Sequence, residues 1–305
     1  MRGVPLRWRL FLGFLARLPQ GILSRAWGRF AELSFPPPVQ RAVNQGFARL
    51  AGVNISESEL LPGEYRTLSD FFSRALRTGA RQWPDAPAMP GSPVDGILGA
   101  FGVLDRGVAI QAKGLTYRVG DLLAEWGAED CFASGLFFTI YLSPRHYHRI
   151  HAPVEGRIRE ARAVPGRLLP VNLAATRSIE ALFPRNERLV VFMDAPMARL
   201  ALVAVGAFNV GRISAAFDPG WNGPQGRGVT NRRKSGDLEA RRYDRPLRIV
   251  RGQEMMAFHF GSTVVLLLES IGPISLPAPH PDLREGMEIR AGAPLLSEPL
   301  ASSRE

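Results

Sequence analysis

The segment Met-Met-Ala-Phe-His-Phe-Gly-Ser-Thr-Val-Val-Leu-Leu-Leu-Glu, residues 255–269, is a strongly apolar run that decides the fold class. Its β-branched and aromatic residues predict a buried strand, and the Gly-Ser pair inside it predicts a bulge or bend. Similar runs at 135–142, 189–194 and 200–216 alternate with Gly and Pro turns. From about residue 90 onward the sequence therefore predicts β-rich structure, with 172–183 as the best helix candidate.

The first part of the chain has a different character. Amphipathic helical patterns cover 6–33 and 38–51, and Pro36-Pro37-Pro38 interrupts them because proline cannot continue a helix. Residues 63–76 predict a further helix, with Thr67 or Ser69 as its N-cap. The predicted fold class is α+β, with N-terminal amphipathic helices followed by a β-rich catalytic domain. We place a helical membrane-associating region at 1–60, the catalytic domain at 61–290 and a tail at 291–305.

The charge of the chain indicates an anionic partner. Its formal net charge is +10, and residues 1–31 hold six arginines and no acidic residue, interleaved with Trp, Phe and Leu. Such a segment suits a membrane interface, although a helix packed on the protein's own core fits equally well. The apolar run Leu10 to Ala16 is far shorter than the roughly 20 residues that a membrane-spanning helix needs. The stretch from Trp221 to Arg251 is polar and basic and predicts a long loop.

One cysteine, Cys131, excludes an intramolecular disulfide, and we expect it to be a small buried residue. Three of the five histidines, by contrast, are clustered at positions 146, 148 and 151. Imidazoles at this spacing could bind a metal ion, or they could serve as acid and base near neutral pH. Acid–base chemistry is favoured because no clear further metal ligand accompanies the cluster.

Two further motifs are weak when taken singly. Asp95-Gly96 is typical of a hairpin turn, and Gly261-Ser262 is typical of a strand bulge. Together with the histidines they supply a carboxylate, a base and a nucleophile, which are the groups of a catalytic triad. The G-x-S-x-G elbow of α/β hydrolases is absent from the sequence, so the serine needs another role.

From about residue 62 to 270 the chain resembles the phosphatidylserine decarboxylases. The resemblance rests on ordered short matches: Tyr65 to Phe72 with Arg74 and Leu76; Val94-Asp95-Gly96; Ala112-Lys113-Gly114 with Tyr117; Tyr141 to Pro144; Tyr147-His148-Arg149 and His151; Asn186-Glu187-Arg188; Val205-Gly206-Ala207 with Val210-Gly211; Gly252 to Met255; and Gly261-Ser262-Thr263. One position departs from the family pattern, since His146 stands where the family usually has Asp.

The resemblance implies that the chain cuts itself. His151, oriented by Asp95, would take the proton of Ser262, whose oxygen attacks the Gly261 carbonyl. The ester would then eliminate and hydrolyse with loss of ammonia, leaving a covalent pyruvoyl group at position 262 and two chains. The pyruvoyl ketone would form a Schiff base with the serine amine of phosphatidylserine and act as the electron sink as CO2 leaves. His148 would donate the proton that completes phosphatidylethanolamine.

The resemblance also implies a phospholipid substrate and an anionic membrane surface as partners. It places the protein peripherally on the cytoplasmic face of the cell membrane, and no nucleic-acid partner is expected. Self-association into a homo-oligomer is left open by the sequence. The alternatives are a metal-dependent hydrolase built on His146, His148 and His151, and a basic membrane-surface binding protein without catalysis.

Overall fold

The computed structural model of the chain describes residues 20–84, 89–112, 114–124, 132–207, 212–222, 237–259, 262–271 and 275–297. Its helices are α1 (Gln20–Ala31), α2 (Pro37–Ala51), α3 (Leu68–Phe72), α4 (Val119–Leu123), α5 (Leu173–Thr176) and α6 (Leu182–Arg185). Its strands are β1 (Gly96–Asp105), β2 (Val108–Ala112), β3 (Leu115–Arg118), β4 (Ser134–Leu142), β5 (Arg149–His151), β6 (Gly156–Val164), β7 (Arg188–Asp194), β8 (Ala198–Val205), β9 (Ile213–Ala215), β10 (Glu239–Ile249), β11 (Glu254–Phe258), β12 (Ser262–Ser270) and β13 (Glu288–Ile289). The α+β class is confirmed.

The predicted proline break is confirmed. Helix α1 ends at Ala31 and α2 begins at Pro37, with prolines in its first turn where a missing N–H costs nothing. Gly52 ends α2 in the left-handed conformation, with φ of 71°. Residues 6–19 of the predicted first helix lie outside the described residues.

The prediction of one helix over 63–76 is wrong. A short 3-10 turn at Pro62–Glu64 is followed by α3, and Leu76 already pairs with Ser58 in an isolated β-bridge. Thr67 is the N-cap, because its hydroxyl accepts the N–H of Asp70 at 3.0 Å. Ser69 is instead buried inside α3.

Most strands form one antiparallel sheet in the order β10-β6-β7-β8-β12-β4-β1-β2-β3, with β13 added beside the start of β1. A smaller sheet has the order β5-β11-β9. Strand β12 lies between β4 and β8, and its side chains alternate between two hydrophobic clusters: Val264, Leu266 and Leu268 face one, and Val265 and Leu267 face the other. Because both faces of β12 are covered, its sequence is apolar at successive positions instead of alternating with polar residues.

A third, smaller cluster joins the helices to the segment that precedes β1. Ala31, Ala48 and Val53 pack with Phe71 and Phe72 of α3. Helix α3 in turn reaches the β-rich part, where the rings of Phe72 and His148 lie 3.9 Å apart. Among the described residues, no helix is both long and apolar enough to cross a membrane.

Two other predictions need correction. The stretch from Trp221 to Arg251, predicted as a loop, contains the eleven-residue strand β10. This strand lies at the edge of the sheet and is largely solvent-accessible, so its pairing with β6 requires no apolar periodicity. Residues 172–183 form only the short helices α5 and the start of α6, since Ala181 takes a left-handed conformation with φ of 47° between them.

The C-terminal boundary also differs from the prediction. The predicted tail covers 291–305, yet Ala291, Leu295 and Leu296 within it are buried against the core. The packed structure therefore extends to at least residue 297. Cys131 lies outside the described residues.

Gly96 provides a test of how tightly β1 and β4 approach each other. A Cβ at Gly96 would lie 2.6 Å from both Ile140 Cγ2 and the Tyr141 carbonyl oxygen, whereas at Gly99 the nearest atom would be 3.3 Å away. We expect Gly96→Ala to lower the free energy of unfolding by roughly 1–3 kcal/mol, as overpacking does. Urea denaturation should show a clearly smaller loss for the matched control Gly99→Ala, and equal losses would contradict this account.

Candidate active site

Strand β4 brings the predicted site residues to one end of the large sheet. It pairs antiparallel with β1 through Tyr141 and Ile97, and with β12 through Leu142 and Ser262. The beginnings of β1 and β12 therefore flank the end of β4, roughly 10 Å apart by two strand spacings. Asp95 directly precedes β1, and Ser262 is the first residue of β12. The segment 143–148, which follows the end of β4, contains His146 and His148.

Ser262 is fully buried, and its hydroxyl has no hydrogen-bond partner among the described residues. An unsatisfied buried hydroxyl costs about 1–3 kcal/mol, so such an atom calls for an explanation. Within the described part of the chain, no protein group competes for this hydroxyl. Gly261, the predicted partner in the cleaved bond, lies outside the described residues.

Asp95 is buried and held by an arginine that sequence reasoning missed. Arg81 Nε donates to Asp95 Oδ1 at 2.8 Å and Arg81 Nη2 donates to the other carboxylate oxygen, which makes the pair bidentate. The backbone N–H of Ala291 donates to Oδ1 at 2.9 Å. Arg81 also binds Glu57 at 2.9 Å. These contacts fix Asp95, and none of its hydrogen bonds within the described residues goes to His151.

His151 has a defined tautomer. Its Nδ1 lies 2.8 Å from the carbonyl oxygen of Gly252, which can only accept, so Nδ1 carries the proton. Its Nε2 lies 2.8 Å from the Tyr147 hydroxyl, which therefore donates to it. Burial lowers the pKa of His151, with the carbonyl of Gly252 and the charge of Glu254 opposing this more weakly. The ring is therefore neutral at pH 7, with a basic Nε2.

His148 is fully buried and packs on Phe72. Its Nδ1 lies 2.9 Å from the carbonyl oxygen of His146, so this nitrogen also carries the proton. Its Nε2 has no partner among the described residues. Burial, followed by the positive charge of Arg74, lowers the pKa of His148 well below that of an ordinary histidine. His148 is therefore a neutral imidazole with a free basic nitrogen.

Hydrogen bonds already use most ring nitrogens of the three clustered histidines. His146 Nδ1 accepts the N–H of Ser143 at 2.9 Å, and Tyr147 occupies Nε2 of His151. Nε2 of His146 and Nε2 of His148 have no hydrogen-bond partner among the described residues, but across this part of the chain no group of three His, Cys, Asp or Glu residues could hold a metal ion. The structure therefore does not support the metal-dependent alternative. His146 instead lies near Glu288, with Nε2 and Oε1 3.8 Å apart.

Gly252 supports His151 through its own backbone. Its φ is +76°, and a Cβ there would lie 2.7 Å from the indole nitrogen of Trp83. Glycine is thus required by both conformation and space.

Sequence reasoning missed Arg81, Tyr147 and the Ala291 N–H as partners of the site. Tyr147 could have been noticed, because it lies inside the histidine cluster. Arg81 and Ala291 belong to irregular segments without periodicity, and only the folded chain brings them to Asp95.

Comparisons with known proteins identify the family of the chain. The family model described as Phosphatidylserine decarboxylase matches residues 68–297. A relative named phosphatidylserine decarboxylase proenzyme from Anaeromyxobacter sp. (strain K) is 40% identical over 287 residues, covering 94% of this chain and 98% of the relative. A relative with the same name from Myxococcus xanthus is 38% identical and covers 85% of this chain and 89% of the relative. Another from Chromobacterium violaceum is 39% identical and covers 95% of this chain and 99% of the relative.

The chain therefore belongs to the phosphatidylserine decarboxylase family. This membership supports decarboxylation of phosphatidylserine as its activity and, through the names of its relatives, synthesis as a proenzyme.

The Arg81–Asp95 pair can be tested by stability. Both side chains are only 10% exposed, so Arg81→Gln leaves a buried carboxylate without its partner and should cost about 3–5 kcal/mol of folding free energy. The double variant with Asp95→Asn should lose less than the sum of the single variants. Urea denaturation should measure these losses in a Ser262→Ala background. There the self-cleavage that the resemblance implies cannot occur, so all variants are compared as uncut chains.

A matched control is Arg106→Gln. Arg106 pairs with Asp105 at 3.4 Å, but both side chains are more than four-fifths exposed, at 93% and 82%. Its loss should therefore stay within about 1 kcal/mol. An equal effect of the two arginine substitutions would contradict the role of Arg81.

Proposed function

We propose that the chain is a carboxy-lyase that converts phosphatidylserine to phosphatidylethanolamine and CO2, with a pyruvoyl group formed from its own Ser262. The observation that carries the proposal is the buried, unpartnered Ser262 hydroxyl at the end of the sheet that also holds Asp95 and the histidine segment. Membership of the family supports the reaction, and the proenzyme names of the relatives support processing.

Self-cleavage begins with proton transfer from the Ser262 hydroxyl to Nε2 of His151, the ring nitrogen that has a lone pair. The serine oxygen attacks the Gly261 carbonyl carbon, the peptide C–N bond breaks, and the nitrogen takes the proton to become an amine. The product is an ester between Gly261 and the oxygen of residue 262. Residue 262 then loses its Hα while the Gly261 carboxylate leaves, which gives dehydroalanine. This tautomerises to an imine, which water hydrolyses to the pyruvoyl ketone and ammonia.

The hydrogen bond from the Tyr147 hydroxyl to Nε2 of His151 must break before this transfer, because the same nitrogen receives the proton of Ser262. Asp95 acts in this scheme through its charge rather than through a hydrogen bond. The main influence on the pKa of His151 is burial, which lowers it, and the negative charge of Asp95 is among the groups that raise it. Asp95, which is itself paired with Arg81, thereby adds to the stabilisation of the imidazolium less than Gly252 and Glu254 do.

In turnover the pyruvoyl group supplies a ketone that reacts with the substrate amine and accepts the electron pair released as CO2 leaves. His148 is the proposed proton carrier for the carbon that remains. Its Nδ1 proton is held by the His146 carbonyl, so it must take up a proton at Nε2 before delivering it from there.

The two chains remain together after cutting in this proposal. Strand β12 would begin the small chain, and it is paired with β4 on one side and β8 on the other. Both neighbours belong to the large chain. The ladders and the two clusters that bury β12 therefore hold the fragments together without the peptide bond.

The helical region is the proposed membrane contact, on the cytoplasmic face of the cell membrane. Most of the large hydrophobic side chains that are exposed in the described residues lie there: Trp27, Phe30, Leu33, Val39, Leu50, Ile55, Leu60 and Leu61. An exposed apolar surface of this kind marks an interaction site, and the net charge of +10 favours an anionic surface.

Ser262→Ala tests the origin of the cofactor. We expect the variant to remain a single chain of 33.5 kDa by intact mass and to release no CO2, because the nucleophile is gone. The wild type should yield a blocked fragment of 44 residues (305 − 261). Ser270→Ala, at the other end of β12, should be cut like the wild type. Cutting of Ser262→Ala at position 261, or an uncut wild type, would refute the proposal.

His148→Gln and His151→Gln should separate the two roles. We expect His148→Gln to be cut but to lose about 10²–10⁴-fold in kcat, the usual contribution of a positioned proton carrier. We expect His151→Gln to remain uncut. Intact mass reports cutting, and CO2 release from phosphatidylserine in detergent micelles reports turnover. A His148 variant with normal turnover, or one that blocks cutting as His151→Gln does, would contradict the assignment.

A further inference from the structure

A cavity of about 640 Å³ adjoins the candidate active site. Its lining includes the site residues Asp95, Gly96 and Tyr147. Arg74, next to the segment 143–148, also lines the cavity. Its volume lies within the usual range for small-molecule sites, about 300–1,000 Å³. It is large enough for a phospholipid head group.

The cavity contains as many carboxylates as arginines, so its overall charge does not identify a ligand. Arg81, Arg145 and Arg290 each form an ion pair with a carboxylate of the lining. Arg74 differs from them, since within the described residues no carboxylate lies within ion-pair distance of it. It is nevertheless only 2% exposed.

The hydrogen bonds of Arg74 are few and long. Its donors reach the carbonyl oxygens of Phe72 at 3.5 Å, Arg145 at 3.3 Å and His146 at 3.2 Å. Its Nε has no partner among the described residues. A guanidinium has five N–H groups, so Arg74 keeps unused donor capacity.

Arg188 shows what a purely structural buried arginine looks like in this protein. It is also 2% exposed, but its guanidinium donates four hydrogen bonds of 2.6–2.8 Å to the carbonyl oxygens of Leu122, Pro184, Asn186 and Asp121. The contrast indicates that backbone carbonyls alone do not account for Arg74. The charge of Asp95 acts on Arg74 only from beyond ion-pair distance, and a buried cation without an ion pair is costly unless an anion completes the site.

We infer that Arg74 is the anchor for the phosphodiester of the phospholipid head group. The inference rests on the proposed function and adds the residue that holds the substrate. The other anion of phosphatidylserine, its carboxylate, is a poorer partner for a productive site. Its charge disappears as CO2 leaves, so a strong ion pair would stabilise the substrate more than the transition state. The phosphodiester keeps its charge throughout, and guanidinium matches its geometry.

Ligand binding tests the anchor without requiring turnover. The probes are glycerophosphocholine, which has a phosphodiester but no carboxylate and no primary amine, inorganic phosphate as a simple phosphate, and acetate as a carboxylate. We expect glycerophosphocholine and phosphate to raise the Tm of the processed enzyme, and acetate to raise it less. Arg74→Gln should abolish the response, and Arg74→Lys should keep part of it.

Kinetics supply the second readout. Arg74→Gln should raise KM for phosphatidylserine in micelles at least tenfold and change kcat less than threefold. Arg248→Gln, which removes the same charge from the exposed edge strand β10, should change neither. Self-cleavage of each variant, measured by intact mass, shows that its site has folded. If Arg74→Gln does not fold, the same binding and kinetic measurements are made on Arg74→Lys.

Three results would overturn the inference: an unchanged phosphate response in Arg74→Gln, an acetate response as large as that to glycerophosphocholine, or a fall in kcat at constant KM. The last would make Arg74 a clamp for the segment 143–148. A protein that binds glycerophosphocholine through Arg74 but releases no CO2 would refute the proposed reaction and leave the anchor in place.

Discussion

The site depends on the pairing of β4 with both β1 and β12. Antiparallel ladders on its two sides place the first residues of β1 and β12 beside its last residue, and the histidine segment continues from that same point. The Asp, His and Ser motifs are separated by long stretches of sequence, and this arrangement of strand ends brings them together. The close approach of Gly96 to Ile140 and Tyr141 shows how little freedom the arrangement has.

Backbone carbonyls determine the chemistry of the two central histidines. Gly252 and His146 each accept the Nδ1 proton of a ring, so in both cases Nε2 is the basic nitrogen. Burial keeps both rings neutral by lowering their pKa. Tyr147 occupies Nε2 of His151, whereas Nε2 of His148 has no partner within the described structure. Among the described contacts, the two rings therefore differ in whether the basic nitrogen already has a partner.

The sequence predicted the features that local patterns encode. The buried strand β4 and the proline break before α2 follow from periodicity and side-chain chemistry, and Thr67 is one of the two N-caps that the sequence predicts. The apolar run 255–269, predicted as one strand, is instead divided between β11 and β12, which belong to different sheets. Strand β10 was missed because an exposed edge strand lacks an apolar pattern. The pairing of Asp95 with Arg81 was missed because it depends on tertiary packing of an irregular segment. The resemblance implies that Asp95 orients His151, whereas the hydrogen bonds of Asp95 among the described residues go to Arg81 and Ala291.

The central claim is that position 262 becomes the reactive carbonyl of the mature enzyme. Its most direct test is to incubate processed protein with phosphatidylserine and borohydride, which reduces and fixes a carbonyl–amine adduct, and then to locate the added mass by peptide mapping. The account predicts the adduct at the first residue of the small chain, position 262. An adduct at any position other than 262, or processed and active protein that yields none, would contradict it.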